Sequence, residues 1–196
     1  MKRASLGCKV RSGRAPAVVI AAPDTLLDCR VLWLADPENP ATFQPYHSGF
    51  GELEEDEARI APRLRAVRRA TRRSVKQVVA YWQRRGVRLG RATLVVGSLT
   101  DPQSIRQPHM RAHGLEGRLF RSVLSDAIKE HGIATAFVQE RKLRERLGPD
   151  FANTLKRIKQ QLSTLPDSTV SPWSTDNRLA VAAALAALST RASVKT

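Results

Sequence analysis

The residues of this chain with the clearest chemistry are its cations. Of 196 residues, 33 are Lys or Arg against 18 Asp or Glu, a formal net charge of +15. The excess is also clustered. From Arg63 to Arg91 there is no acidic residue, and within that run Arg65, Arg68, Arg69, Arg72, Arg73 and Lys76 fall away from the apolar side of a helical pattern. A merely solvated helix face usually mixes both signs, whereas a one-signed face suits a polyanion whose condensed counterions it displaces. Arg111, Arg118 and Arg121 form a second basic group, and Lys156, Arg157 and Lys159 a third. These twelve residues are the candidate nucleic-acid contacts. An anionic membrane or an acidic protein scaffold is a weaker match to the same charge.

Other chemistries find less support. No phosphate-cradling glycine-rich loop followed by Lys-Ser or Lys-Thr is present. His47, His109, His113 and His131 have no zinc-ligand spacing with Cys8 or Cys29. His109 and His113, four apart, would share a helix face if the helix began before Pro108, a start that proline disfavours except at the first helical position. No nucleophilic triad can be argued from the scattered Ser and His residues. Aromatic content is 5%, too low for a single-strand stacking platform, so duplex or branched DNA gripped through its phosphates is the expected partner. The two cysteines lie far apart and read as reduced thiols of a cytoplasmic protein. Met1-Lys2-Arg3 is basic but no apolar stretch follows, so no signal peptide is expected. Leu179 to Leu188 is too short to cross a bilayer, and no membrane partner is expected.

The elements that must position these residues follow from hydrophobic periodicity. Residues 1–15 are basic and rich in Gly and Ser and are predicted to be a flexible arm. Ala17 to Ala22 and Asp28 to Leu34 are apolar runs close enough to pair as an antiparallel hairpin. Ala41 to Tyr46 is predicted as an edge strand in a proline-rich stretch. From Glu52 to Arg85, apolar residues at Ile60, Leu64, Val67, Val75, Val78 and Trp82 trace one face of a long helix that Gly86 closes. Arg91 to Val138 then reads strand, helix, strand, which demands a parallel pair. Glu140 to Arg146 and Asp150 to Leu165 are predicted as small basic helices. Residues 166–172 are predicted as a linker, and Asn177 to Ser189 as a buried, alanine-rich helix. One α/β domain over 16–189 results, a mixed sheet flanked by helices, with a tail at 190–196.

This order of elements resembles the ribonuclease H-like fold, and within it the RuvC type of Holliday-junction resolvase. The likeness rests on Arg111 to Val138, on the basic helices of Glu140 to Leu165, and on Trp173 to Leu188 with its Asp176-Asn177-Arg178-Leu179. Active members of that family place carboxylates at the end of the first strand, at the end of the fourth, and at the start of the last helix. Those carboxylates hold two Mg²⁺ ions that activate water against a phosphodiester. The resemblance therefore implies Asp24, Asp176 and Glu116 as catalytic candidates, with Asp101 in reserve, and Asp24 and Asp176 as Mg²⁺ ligands. The apolar run from Ala17 nevertheless ends in alanine where an acid would stand, and the run ending at Val96 delivers Gly97 and Ser98. The expectation is thus a DNA-binding accessory factor with impaired catalysis, alone, as a homodimer or within a larger nucleoprotein assembly. A Mg²⁺-dependent structure-specific endonuclease is the alternative.

Overall fold

A computed structural model describes residues 1–48, 51–145, 148–165 and 173–189. The first strand, β1 (Lys2–Lys9), begins almost at once and is followed by β2 (Arg14–Ala21) and β3 (Thr25–Trp33). The long helix α1 (Glu57–Arg84) precedes β4 (Val87–Val96), then α2 (Pro108–Lys129) and β5 (Ala134–Gln139). Two short helices, α3 (Glu140–Glu145) and α4 (Phe151–Gln160), lead to the last helix, α5 (Thr175–Ser189). The sheet order is β3-β2-β1-β4-β5. β1 runs antiparallel to β2 and parallel to β4, and β4 runs parallel to β5.

The predicted arm is instead the centre of the sheet. Its polar look has a packing cause. Ala4, Leu6, Cys8 and Val10 alternate toward one face and join the main core, while Ser5, Gly7 and Lys9 alternate toward the other and are covered as completely. Ser5 Oγ donates to the carbonyl of Ala184 at 2.7 Å. Gly7 lies so close under α5 that a Cβ there would overlap the carbonyl oxygen of Ala180. The small, polar residues that suggest a loose tail are those that a closely docked helix requires.

The two faces of the sheet are covered differently. α1 and α2 pack together on one face, through Val67, Val75, Val78, Trp82, Phe120, Leu124 and Ile128. α5 and α4 cover the other, through Ala180, Val181, Ala184 and Ile158. The hairpin, the long helix, the parallel β4–α2–β5 unit and the buried last helix thus agree with the sequence expectation. The edge strand predicted at Ala41 to Tyr46 does not form. Pro40–Thr42 makes a 3-10 turn instead, held by Thr42 Oγ1 donating to the carbonyl of Asn39 at 2.6 Å. The 166–172 linker and the 190–196 tail lie outside the described residues. Among the described residues, no helix is long and apolar enough to cross a membrane.

Candidate functional site

Parallel alignment of β1, β4 and β5 brings their carboxyl ends to one edge of the sheet, and α2 and α5 begin there. Between the strand ends and α2 lies a cleft of about 440 Å³, lined by Lys9, Arg11, Gly97, Ser98, His113 and Arg121 among others. Ligands of open α/β sheets lodge at such strand ends, where backbone groups are left free and helices start.

The side chains at this edge are ionised and matched to one another. Lys9, at the end of the central strand, is 1% exposed and places its ammonium 2.7 Å from Glu140 Oε2. Arg144 donates to the other oxygen of Glu140 at 2.8 Å. Hydrogen bonds from Lys9 and then Arg144 hold the Glu140 carboxyl down at about 2. Arg11 grips Asp176 through two bonds, at 2.6 and 3.0 Å. Arg121 donates to the carbonyl of Ser98 at 3.0 Å, and burial, followed by the neighbouring Arg118, lowers its pKa.

The acids expected to converge do not do so. The run from Ala17 belongs to β2, not to the first strand. Because β2 is antiparallel, its carboxyl end lies at the opposite edge, where Ala21 pairs with Ala4. Seven residues of extended chain separate Ala4 from Arg11, so Asp24 and Asp176 stand roughly 20 Å or more apart. Asp24 is held by Arg157 at 2.8 Å, across the β2–β3 turn from α4. Asp101 caps a 3-10 turn by accepting from the amide of Gln103 at 3.2 Å. Glu116 is buried in α2 and faces a histidine. Asp176 reaches the strand-end edge in the first turn of α5, while Asp101, in the loop leaving β4, faces Arg118 at 3.7 Å.

Paired Mg²⁺ ions take carboxylate oxygens at close range. At this edge the residue ending the first strand is Lys9, the fourth strand ends in Val96-Gly97, and Glu140 and Asp176 are each clasped by cations. This donor set does not fit a pair of divalent hard cations. The sequence reading missed both Lys9 and Glu140. Lys9 could have been found from the alternation Ala4, Leu6, Cys8, Val10, which is a strand pattern despite the charges around it.

The candidate nucleic-acid contacts divide by environment. Arg65, Arg68, Arg69, Arg73 and Lys76 are exposed along α1, and Arg72 joins them while pairing with Glu130 at 2.7 Å. Arg118 is exposed near Asp101, and Arg111 turns to the carbonyl of Ile105 at 2.8 Å. Lys156, Arg157 and Lys159 are exposed on α4, in the layer on the other side of the sheet. The first two groups therefore lie on the helices of one face of the sheet, and the third on the other.

A second cluster adjoins the cleft. Pro108 is the first residue of α2, so His109 and His113 do share a face. His47, from the segment before α1, meets them there, with ring centroids 5.4 and 4.6 Å from the other two. His47 Nδ1 lies 2.7 Å from Glu116 Oε1. Burial raises the pKa of Glu116, against the opposing pull of His47 and His113. His47 is 62 positions before His109, and no spacing rule would have joined them.

No protein-family model matches the chain, and no curated protein matches it in sequence. Its fold is the ribonuclease H-like α/β fold of the RuvC resolvases. RuvC from T. thermophilus, solved in complex with a Holliday-junction substrate, superposes with a TM-score of 0.54 at 15% identity, over 94% of this chain and 90% of that one. A second Thermus thermophilus RuvC structure gives a TM-score of 0.50 at 13% identity, over 94% and 92%.

Proposed function

We propose that this chain binds DNA, duplex or branched, through its phosphates, and that it acts as a structural or accessory factor that leaves the phosphodiester uncut. The observation that carries the reading is the cationic end of the central strand. Lys9 and Arg11 stand where the resemblance calls for the first carboxylate, and Arg121 faces them across the cleft. Lys9, Arg11, Arg121 and Arg144 outnumber the two carboxylates they adjoin, Glu140 and Asp176, so a phosphate entering there meets a net positive field where a metal-dependent nuclease would present acids. The exposed arginines of α1 extend the basic surface, and the T. thermophilus RuvC structure bound to a Holliday junction makes a branched duplex the first ligand to try. The reduced, buried cysteines are consistent with action in the cytoplasm.

The deciding experiment measures binding of a four-way junction, a duplex and a single strand by fluorescence anisotropy across stepped salt, with cleavage followed in parallel in Mg²⁺. The expected result is tight duplex or junction binding whose log affinity falls linearly with log salt, at about 0.9 per phosphate neutralised, with the DNA intact. Salt-independent binding would remove the phosphate reading. Mg²⁺-dependent cutting that disappears in Asp176→Asn would instead establish the endonuclease.

A further inference from the structure

The strand-end edge satisfies its own charges, but the neighbouring histidine cluster does not. His47, His109 and His113 each bring a ring nitrogen within 4.8 Å of the others. In His47, Nδ1 is engaged with Glu116, and the other nitrogen, Nε2, is buried without any hydrogen-bond partner. A neutral ring would bury a bare lone pair there, and a protonated ring a bare N–H. Either leaves a desolvated polar atom uncompensated, which a folded protein rarely tolerates without a ligand.

The other two rings turn their Nε2 atoms toward each other, within hydrogen-bonding distance. His109 Nδ1 lies 2.8 Å from the carbonyl of Gly51, so that nitrogen carries the proton and Nε2 is left as a lone pair. His113 Nε2 is 3.2 Å from His109 Nε2. Two imidazoles on one metal ion with bonds of about 2.0–2.1 Å in tetrahedral array bring their nitrogens to about 3.3 Å. His113 Nδ1 sits 3.6 Å from Glu116 Oε2, the second oxygen of the same buried carboxylate and itself without a hydrogen bond. Metal-ligating histidines characteristically donate their other nitrogen to a carboxylate or backbone carbonyl, which fixes tautomer and orientation. That outer layer is already present for His47 and His109.

We propose that His47, His109 and His113 form a three-histidine site, bound through Nε2, for a borderline divalent transition-metal ion, Zn²⁺ foremost. Imidazole selects this class over Mg²⁺ or Ca²⁺, which take oxygen ligands. Glu116 is the positioning residue: it orients His47 and supplies the negative charge that a cation near the positively polarised start of α2 requires. Rotation of the exposed His109 and His113 rings closes the remaining distance. Three protein ligands leave a fourth position, on the exposed side of the cluster, for water. The ion would tie the segment before α1 to the first two turns of α2, beside the cleft but outside its ion pairs.

The test uses untagged full-length protein stripped with chelator, titrated with Co²⁺ while visible absorption is recorded, then with Zn²⁺ in competition. One Co²⁺ per chain with the intense bands of a four-coordinate site, displaced by Zn²⁺, is expected. His109→Ala and His113→Ala, at positions open to solvent, are each expected to weaken binding at least 100-fold while the far-ultraviolet circular dichroism is unchanged. Glu116→Gln is expected to weaken it 10- to 100-fold and leave the bands in place. Absence of stoichiometric Co²⁺ and Zn²⁺ binding, or binding that survives the double variant of His109 and His113, would overturn the proposal. DNA affinity measured on the same samples reports separately, since neither result depends on the other.

Discussion

Two neighbouring groups of ionisable residues meet at one edge of this sheet, and they are built on opposite principles. At the strand ends each carboxylate has its cation: Glu140 has Lys9 and Arg144, and Asp176 has Arg11. At the histidine cluster beside it, His47 Nε2 and Glu116 Oε2 are buried without a hydrogen bond. A closed set of ion pairs stabilises the fold as it stands. An open set of buried lone pairs is complete only when something is added. Proximity to a cleft therefore does not by itself tell binding chemistry; the state of satisfaction of each buried atom does.

The comparison breaks most visibly at Glu140. Glu140→Gln leaves the Lys9 ammonium buried opposite a neutral amide, and removal of one member of a buried pair costs about 3–5 kcal/mol. Urea denaturation of metal-free protein should show a loss on that scale, while His113→Ala stays within about 0.5 kcal/mol of the parent. A loss at His113 equal to that at Glu140 would mean that the cluster is structural without its ion. Gly7→Ala comes next. It forces α5 off the sheet, at about 1–3 kcal/mol for an overpacked contact, and pulls Asp176 away from Arg11. The histidine cluster, on the opposite face, should keep its Co²⁺ affinity in that variant.

Acid separates the two groups further. The Glu140 carboxyl is held at about 2 in the folded protein, below its ordinary value of 4.5. Its ion pairs therefore contribute their full stability above about pH 4.5 and lose it progressively as pH falls toward 2. Denaturation midpoints between pH 5 and 2.5 should fall more steeply in the parent than in a Lys9→Met/Glu140→Gln double variant. The smallest effect is expected on the outer surface. Arg68→Ala or Arg73→Ala should leave stability within about 0.5 kcal/mol and reduce the salt slope of DNA binding by about one for each phosphate that the variant no longer neutralises.

The fold was largely legible because its long elements carry strong periods. The hairpin of β2 and β3, the α1 stripe and the β4–α2–β5 unit all bury apolar residues at regular intervals, and periodicity reports burial. β1 escaped because half of it is covered by neighbours that tolerate only small side chains, as at Ser5 and Gly7, and its last residue is a buried lysine matched 131 positions later. The miscounted first strand then displaced the expected acids onto Asp24, at the wrong end of the sheet. The histidine cluster was not legible. The sequence pattern begins the helix at Arg111 and disfavours a shared face for His109 and His113, whereas Pro108 is the first helical residue; His47 is joined to them only by tertiary packing.

The place of β1 in the chain also sets a timetable for synthesis. Lys2 pairs with Val87, and Ser5 bonds to Ala184. At common elongation rates of about 5–20 residues per second, the central strand waits on the order of ten seconds for β4 and about as long again for α5. The β2–β3 hairpin and α1 can form locally in that interval, but the middle of the sheet stays uncovered until nearly the whole described chain has emerged. Such dependence on distant partners slows folding and lengthens the exposure of apolar strands to aggregation.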